Sequence, residues 1–236
     1  MPDDTRTVVV AGGTGALGGS VARAFLAAGY RVVVTSRRQE EIDELAANVG
    51  KNPQLSGVVL DATEEAAAGK FIADTESKFG SVDAVVITVG GYAGGKKLWE
   101  ADVATYEQML NLNLRAAFVM ARAALPGMIK RNRGALVNIA SKAAYDRSAG
   151  AALYSASKAG VLALFNSLAE EVKPYNINVN SIVPSIMDTP ANRRAMPKAD
   201  FNMWPKTDDI AKVIVFLCSE AARVIHGAAV PVYGRT

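Results

Sequence analysis

Short apolar runs alternate with Ala-rich stretches of helix length along most of the chain. The runs show little polar alternation, which is typical of strands buried on both faces of a parallel sheet. The pattern predicts a doubly wound α/β sheet of about seven mostly parallel strands, with helices on both faces and right-handed crossovers. The predicted strands are Thr7–Ala11, Arg31–Thr35, Gly57–Leu60, Ala84–Thr88, Gly134–Ile139, Ile177–Val183 and Ala228–Val232. The predicted helices are Leu17–Ala28, Glu40–Val49, Glu64–Phe79, Val103–Lys130, Leu153–Val172 and Asp208–Ser219.

One segment, residues 184–205, lacks this alternation and carries prolines at 184, 190, 197 and 205. A loop of this length inside a compact domain is typical of a lid or a binding loop. We found neither a sequence repeat nor a linker marked by a change in composition. The sequence therefore predicts one domain over residues 1–236, with residues 184–205 as a substrate-binding loop.

Composition narrows the classes of chemistry. Half of the 236 residues are apolar, which is enough for one large core. With Cys218 as the single cysteine, an internal disulfide and a thiolate metal cluster are excluded, and we expect no metal site. A serine–histidine hydrolase would depend on His226, the single histidine. We expect Cys218 to be a small core residue and His226 to face solvent or a subunit contact.

Charge and hydropathy bear on partners and location. The net charge is 26 − 23 = +3, which is mild and does not favour nucleic-acid binding. The basic cluster at residues 130–133 falls at the end of a predicted helix, where cations suit the helix dipole. The polar residues 1–6 are not typical of a secretory signal, and no apolar run is long enough to span a bilayer. We expect a cytoplasmic protein with neither nucleic acid nor membrane as partner.

A glycine-rich turn follows the first predicted strand, with glycines at 12, 15 and 18 directly before a predicted helix. Glycine allows a tight turn and a close approach to a pyrophosphate, and the N–H groups that begin the helix then face the anion. The strand–turn–helix context predicts a Rossmann-type dinucleotide site. Its expected contacts are Gly12, Thr14, Gly15, Ala16, Leu17 and Gly18.

Selectivity between the two nicotinamide dinucleotides is expected at the end of the second strand. NAD-binding folds place an acid there to accept the ribose 2′-OH, whereas this chain has Ser36, Arg37 and Arg38. A guanidinium can pair with the 2′-phosphate, and no carboxylate is present at this point to repel it. The residues favour NADP(H) over NAD(H), although the arginines would equally suit the solvated start of a helix. Asp61 and Ala62 are expected near the adenine, with Asp61 as a helix N-cap as the alternative.

Tyr154 and Lys158 stand at positions i and i+4 of a predicted helix and therefore share one face. Lowering a tyrosine pKa from about 10 to about 7 needs roughly 4 kcal/mol. A cation about 4 Å away supplies about that much at an effective dielectric constant of about 20. We expect Lys158 to lower the pKa of Tyr154 and make it an acid–base group. An ordinary surface pair is the alternative.

Two further polar residues are candidates for the same site. Ser141 lies just after the fifth predicted strand, at the end of the sheet where open α/β folds bind ligands. Asn113 lies within a long predicted helix, where asparagine costs helix propensity and a functional reason is expected. A bent or exposed helix position is the alternative for Asn113.

Together with the glycine turn, these four residues make nearly the whole chain resemble the short-chain dehydrogenase/reductase family. The resemblance implies Tyr154 as proton donor to the substrate and Lys158 as the residue that tunes it and holds the nicotinamide ribose. It implies that Ser141 stabilises the substrate oxygen and that Asn113 supports a water relay. It further implies hydride transfer from the nicotinamide to a small-molecule substrate, in homotetramers or homodimers built on the long helices.

Two cofactor-side motifs depart from the family. Its usual Asn-Asn-Ala-Gly is replaced by Ile-Thr-Val-Gly at residues 87–90, and its usual Pro-Gly by Pro184-Ser185. By resemblance, Gly90 and Pro184 still contact the cofactor.

Residues 90–95 and 188–201 resemble loops of the quinonoid dihydropteridine reductases. This implies Tyr92 near the substrate and Thr189 near the cofactor carboxamide. Those enzymes carry Asp and Ala where this chain has Ser36 and Ser141. The retained serine favours an NADPH-dependent reductase of a small carbonyl or C=N group, with quinonoid dihydropteridine reductase as the alternative.

A regulator that senses NADP(H) without turnover is a weaker hypothesis, because such a protein would be expected to lose Tyr154 or Lys158 and this chain has both. The tryptophans Trp99 and Trp204 flank the predicted site. Trp204 is expected to contact a planar substrate, with anchoring of the loop to the core as its alternative.

Overall fold

A computed structural model describes residues 5–146 and 148–236. Residues 1–4, part of the segment behind the expectation of no secretory signal, lie outside the described residues. Seven strands form one all-parallel sheet in the order β3-β2-β1-β4-β5-β6-β7, which confirms the predicted fold class. The strands are β1 Thr7–Ala11, β2 Arg31–Ser36, β3 Leu55–Val59, β4 Ala84–Ile87, β5 Gly134–Ile139, β6 Ile177–Pro184 and β7 Ala229–Val232. The helices are α1 Ala16–Ala27, α2 Gln39–Asn48, α3 Glu65–Phe79, α4 Val103–Met109, α5 Ala116–Arg131, α6 Ala152–Val172, α7 Pro190–Ala195 and α8 Thr207–Leu217.

The core has two layers, one on each face of the sheet. Successive residues of β1 point to opposite faces, as the two-residue period of a strand requires. Val8 and Val10 pack with α1, α2 and α8, whereas Val9 and Ala11 pack with α3, α5 and α6. All five residues of β1 are buried, so the centre of the sheet matches the uninterrupted apolar pattern.

The edge strands differ from the prediction of burial on both faces. In β3, Val58 and Val59 are exposed, and β7 is only half-buried. Each of these strands has a neighbour on one side only, which leaves part of its surface in water. The expectation of full burial is therefore wrong for β3 and β7.

The single helix predicted over residues 103–130 is divided. Between α4 and α5 lies a wider, π-helical turn, Leu110–Arg115. Such turns carry extra residues inside a helix and are frequent at functional sites. Here the turn holds Asn113, which is 2% exposed, so the alternative of an exposed helix position is wrong.

Residues 184–205 contain the short helix α7, which the proline-based prediction of a helix-poor segment missed. Thr189 caps this helix by accepting a hydrogen bond from the Asn192 N–H at 3.2 Å, and Pro190 occupies the first turn. The Asp188 carboxylate forms ion pairs with Arg193, in α7, and with Lys206, just after the segment. Over the ranges that the structure covers, no helix is both long and apolar enough to cross a bilayer.

Candidate active site

The glycine turn joins β1 to α1 at the carboxyl edge of the sheet. Gly12 has φ +77°, in the left-handed region that favours glycine. The Gly15 N–H donates to the Gly12 carbonyl at 3.1 Å. A Cβ on Gly18 would lie 2.2 Å from that same carbonyl oxygen, so α1 packs directly against the turn.

The start of α1 fits a pyrophosphate. In the described part of the chain, no side chain caps this helix, and its first turn carries no acid. The N–H groups of that turn are thus available to an anion. A Cβ on Gly15 would meet only the Gly12 carbonyl oxygen, at 3.4 Å, so open space lies beside the turn. Ala16 is exposed at this position, whereas the Leu17 side chain is buried in the core.

Thr88 explains how the chain tolerates its departure from the family motif after β4. Its hydroxyl donates to the Ala11 carbonyl at 2.8 Å and to the Gly12 carbonyl at 3.0 Å. These contacts tie the end of β4 to the glycine turn. The substitution is visible in the sequence, but this role of Thr88 is not.

At the adenosine end of the predicted site, a carboxylate is present that the sequence analysis missed. Glu41, in the first turn of α2, accepts hydrogen bonds from the Ser36 hydroxyl, the Thr14 hydroxyl at 2.9 Å and Arg38 Nε at 3.0 Å. The Ser36, Arg38 and Thr14 contacts lower the pKa of Glu41 to about 2. The expectation that no carboxylate stands near these arginines is wrong, because α2 folds Glu41 back onto the end of β2.

Asp61 does not cap α3. Its Oδ1 accepts from the Thr63 N–H at 2.9 Å and the Thr63 hydroxyl at 2.8 Å, and the helix begins after Glu64. These bonds, together with the charge of the exposed Arg37, lower the pKa of Asp61. The N-cap alternative is therefore wrong. The carboxylate nevertheless lies close enough to Arg37 to feel its charge, and Ala62 beside it is buried.

The acid–base pair lies at the same edge of the sheet, on α6. Lys158 is 5% exposed, and its Nζ donates to the Ile139 carbonyl at 2.8 Å. Burial lowers the pKa of Lys158 to about 8. Burial also raises the pKa of Tyr154, while a hydrogen bond with the Ser141 hydroxyl acts in the opposite direction. Gly90 lies beside Lys158, since a Cβ there would lie 3.2 Å from Lys158 Nζ.

The direction of the Tyr154 pKa shift corrects the sequence analysis. The expected lowering by Lys158 is wrong for this arrangement, because loss of water around the Tyr154 oxygen outweighs the effects that favour the phenolate. The Lys158 amine is occupied in part by the carbonyl of Ile139.

Asn113 connects the loop after β4 to α6. Its Nδ2 donates to the Gly91 carbonyl at 3.1 Å and to the Ser157 hydroxyl at 3.0 Å, and its Oδ1 accepts from the Gly91 N–H at 3.0 Å. Ser157 in turn donates to the Tyr154 carbonyl at 2.7 Å. The sequence analysis missed Ser157, although its place one turn after Tyr154 on a buried helix face was a usable signal.

The three aromatic candidates lie in different environments in the structure. The Tyr92 ring packs edge-to-face on the Tyr154 ring, with centroids 5.0 Å apart, and Tyr92 is 66% exposed. Trp204 is only 6% exposed and packs against Phe201, which supports its anchoring role over substrate contact. Trp99 is largely exposed. Of these side chains, Tyr92 is the one in contact with the acid–base pair.

Thr189 and Pro184 lie near the carboxyl end of β6. Thr189 is buried as the cap of α7, and Pro184 is the last residue of the strand. Both therefore sit at the edge of the sheet where the glycine turn, Ser141 and Tyr154 meet.

The single histidine and cysteine are structural. His226 is half-buried; its Nδ1 accepts from the Val179 N–H at 3.4 Å and its Nε2 lies 2.8 Å from the Ala169 carbonyl. It thus joins β6 to α6 and is not simply turned toward solvent, whereas the alternative of a subunit contact stays a prediction. Cys218 is buried, as expected, and burial raises the pKa of its thiol to about 12.

A cavity of about 310 Å³ lies at the opposite edge of the sheet, where β4, β5 and β6 begin. It is lined by charged side chains that include Arg6, Arg131 and Glu220. None of the predicted site residues lines it, so the candidate chemistry remains at the carboxyl edge.

Comparison with known proteins places this architecture in a family. Residues 6–200 match the family model described as short chain dehydrogenase. Because this span exceeds half of the chain, the protein belongs to the short-chain dehydrogenases and is an NAD(P)-dependent oxidoreductase.

The relatives are similar in sequence and in fold. Dehydrogenase/reductase SDR family member 4 of Homo sapiens is 29% identical, with 100% of this chain and 88% of the relative covered. The 7alpha-hydroxysteroid dehydrogenase of Bacteroides fragilis is 27% identical, with coverage of 98% and 94%. Among solved structures, ElxO with NADP bound is 27% identical, with a TM-score of 0.90 and 98% of each chain covered.

Proposed function

We propose that this protein is an NADPH-dependent reductase that delivers a hydride to a small carbonyl or C=N substrate, with Tyr154 as the proton donor. The observation that carries the proposal is that the hydroxyls of Ser141 and Tyr154 interact closely enough for Ser141 to affect the Tyr154 pKa, at the edge of the sheet beside Lys158. A pair of hydroxyls in this position can hold one substrate oxygen from two sides.

The dinucleotide, when bound, supplies the hydride. Tyr154 supplies the proton: because burial raises its pKa, it is a neutral phenol at physiological pH, the form that donates in reduction. The Ser141 hydroxyl donates a hydrogen bond to the same oxygen as negative charge develops there.

Lys158 and Asn113 act around this centre. An ammonium has three donors, and Lys158 uses one on the Ile139 carbonyl, which leaves two for ribose hydroxyls and the Tyr154 oxygen. Asn113 fixes the loop at Gly91 against α6 and so positions Tyr154 through Ser157. The water relay implied by the family resemblance stays a prediction.

Cofactor binding follows the same geometry. The turn from Gly12 to Gly18 and the uncapped start of α1 accept the pyrophosphate. The exposed Arg37 pairs with the 2′-phosphate, with Ser36 and Arg38 beside it. ElxO, a 27% identical neighbour, was solved with NADP bound, which supports NADP(H) for this chain as well.

The substrate approaches from the side of Tyr92 and residues 184–205. The exposed Tyr92 ring, packed on Tyr154, offers an apolar surface to a planar group. The retained Ser141 favours a carbonyl over a quinonoid pterin, whose reduction needs no hydroxyl of this kind. A homodimer or homotetramer, as the family resemblance implies, is part of the proposal.

The test is NADPH oxidation at 340 nm with a panel of small carbonyl compounds and with quinonoid dihydropterin. We expect turnover of at least one carbonyl, and loss of about 10²–10⁴-fold in kcat in Tyr154→Phe, since that is the usual contribution of a general acid. Cofactor titration of the same variant should be nearly unchanged. Full turnover in Tyr154→Phe would contradict the assignment, and turnover of pterin alone would favour the alternative substrate.

A further inference from the structure

The Glu41 carboxylate is held by the side chains of three residues, one from the glycine turn and two from the junction of β2 and α2. Its Oε2 accepts from the hydroxyls of Thr14, in the glycine turn, and Ser36, at the end of β2. Its Oε1 accepts from Nε and Nη2 of Arg38, at the start of α2. The Arg38 backbone N–H also donates to the Ser36 hydroxyl at 3.3 Å. Two hydroxyls and a guanidinium thus converge on one anionic group.

Such a set of donors is suited to a phosphate as well as to a carboxylate. In the proposed cofactor complex, Arg37 pairs with the 2′-phosphate of NADP, and Ser36 and Arg38 lie beside the same phosphate. The Glu41 side chain is 33% exposed, so it lies at the surface where the ribose would enter. Its lowered pKa, about 2, means that the carboxylate is charged at every physiological pH.

We propose that Glu41 sets the cofactor selectivity of this protein by competing with the 2′-phosphate for Ser36, Thr14 and Arg38. With NADP, the carboxylate must give up these donors and then repels the phosphate. With NAD, it can stay in place and accept from a ribose hydroxyl, the role that an acid at the end of β2 has in NAD-binding folds. Glu41 thereby weakens the preference for NADP that Arg37 and Arg38 would otherwise produce.

This inference rests on the proposed function only in that it needs the adenosine site, so its test uses fragments that lack the nicotinamide. Adenosine 2′,5′-bisphosphate and adenosine 5′-monophosphate differ only in the 2′-phosphate. Their dissociation constants are measured by isothermal titration calorimetry on the full chain and on Glu41→Gln. The matched control is Glu40→Gln, which makes the same change of charge at the neighbouring exposed residue of α2, with Glu41 and its donors left intact.

We expect Glu41→Gln to bind the bisphosphate about tenfold more tightly, because an anion next to the 2′-phosphate site is removed. Its affinity for the monophosphate should stay within about twofold, and Glu40→Gln should change neither value by more than about twofold, since exposed charges at a distance are screened. Thermal unfolding checks that the variants are folded. If Glu41→Gln is not, Glu41→Ala gives a second measurement with the same expected direction.

An equal gain for both fragments, no gain, or the same gain in Glu40→Gln would overturn the inference. Failure of both fragments to bind the wild type and Glu41→Gln would also overturn it, because Glu41 would then have no nucleotide to select. The reductase assignment is judged separately, by carbonyl-dependent NADPH oxidation and its loss in Tyr154→Phe.

Discussion

Replacing Lys158 by Met should stabilise the protein while abolishing its activity. Lys158 is buried, and burial lowers its pKa from 10.5 to about 8. At pH 7 the ammonium is therefore less favourable in the folded state, where it is buried, than in the unfolded chain, where it is in water. Methionine has a similar length and no charge, so it removes this cost.

The size of the effect follows from the pKa difference. A shift of about 2.5 units corresponds to about 3 kcal/mol of lost stability below pH 8, where Lys158 is protonated in both states. Losing the hydrogen bond to the Ile139 carbonyl costs about 1 kcal/mol. The net gain of Lys158→Met at pH 7.5 is therefore about 2 kcal/mol.

The direction in which the free energy of unfolding changes with pH identifies buried Lys158 as the cause of the stability difference. Between pH 8 and 10.5 the unfolded state binds more protons at Lys158 than the folded state does, so stability rises with pH in this window. From pH 7.5 to 9.0 the wild type should gain about 1 kcal/mol relative to Lys158→Met. Burial raises the pKa of the Cys218 thiol to about 12, so ionisation of this thiol in the unfolded state lowers the stability of the protein above pH 9. This effect is the same in both proteins.

The assay is urea unfolding of both proteins at pH 7.5, 8.0, 8.5 and 9.0, with linear extrapolation to water. The difference between the two free energies of unfolding removes contributions that are common to both. A difference that stays constant with pH would refute the reasoning, because Lys158 would then titrate alike in the folded and unfolded states. A less stable Lys158→Met at pH 7.5 would show that the lost hydrogen bond outweighs the charge.

Three further changes test other parts of the site. Asn113→Ala should destabilise the protein by about 2–4 kcal/mol in urea unfolding, because the Gly91 loop loses its buried bonds; a change below about 0.5 kcal/mol would contradict this. Gly18→Ala should abolish cofactor binding in a fluorescence titration or prevent folding, since its Cβ would lie 2.2 Å from a carbonyl oxygen, whereas Gly19→Ala, with no neighbour closer than 3.5 Å, should behave like the wild type. Ser141→Ala should lower kcat/KM for carbonyl substrates about 10²-fold and much less for quinonoid pterin; equal losses would assign Ser141 a purely structural role.

Much of the fold was predictable because it depends on local pattern. The seven apolar runs are seven strands in the structure, and the predicted bounds agree with the observed ones within about two residues. The reason is that continuous β-branched sequence favours buried parallel strands. The glycine turn was equally readable, because its spacing reflects contacts within one strand–turn–helix unit. Tyr154 and Lys158 lie on one helix, so their shared face follows from the i, i+4 spacing alone.

The remainder depends on contacts between distant segments. Glu41 reaches the donors around Ser36 and Thr14 only once α2 folds back against β2 and the glycine turn. The π-helical turn that orients Asn113 is set by its bonds to Gly91 and Ser157, which are 22 and 44 residues away. No local pattern encodes such pairs.

The sequence by itself determined which residues are available: the order of strands and helices, the glycine turn and the acid–base residues with their spacing. Only the tertiary structure decided their environment. It partly buried Tyr154, so that its pKa rises rather than falls, and it placed Trp204 and His226 in structural contacts. The physical reason is that spacing along a helix or strand is a local property, whereas burial, and with it each pKa and each choice of hydrogen-bond partner, is a property of the whole packed chain.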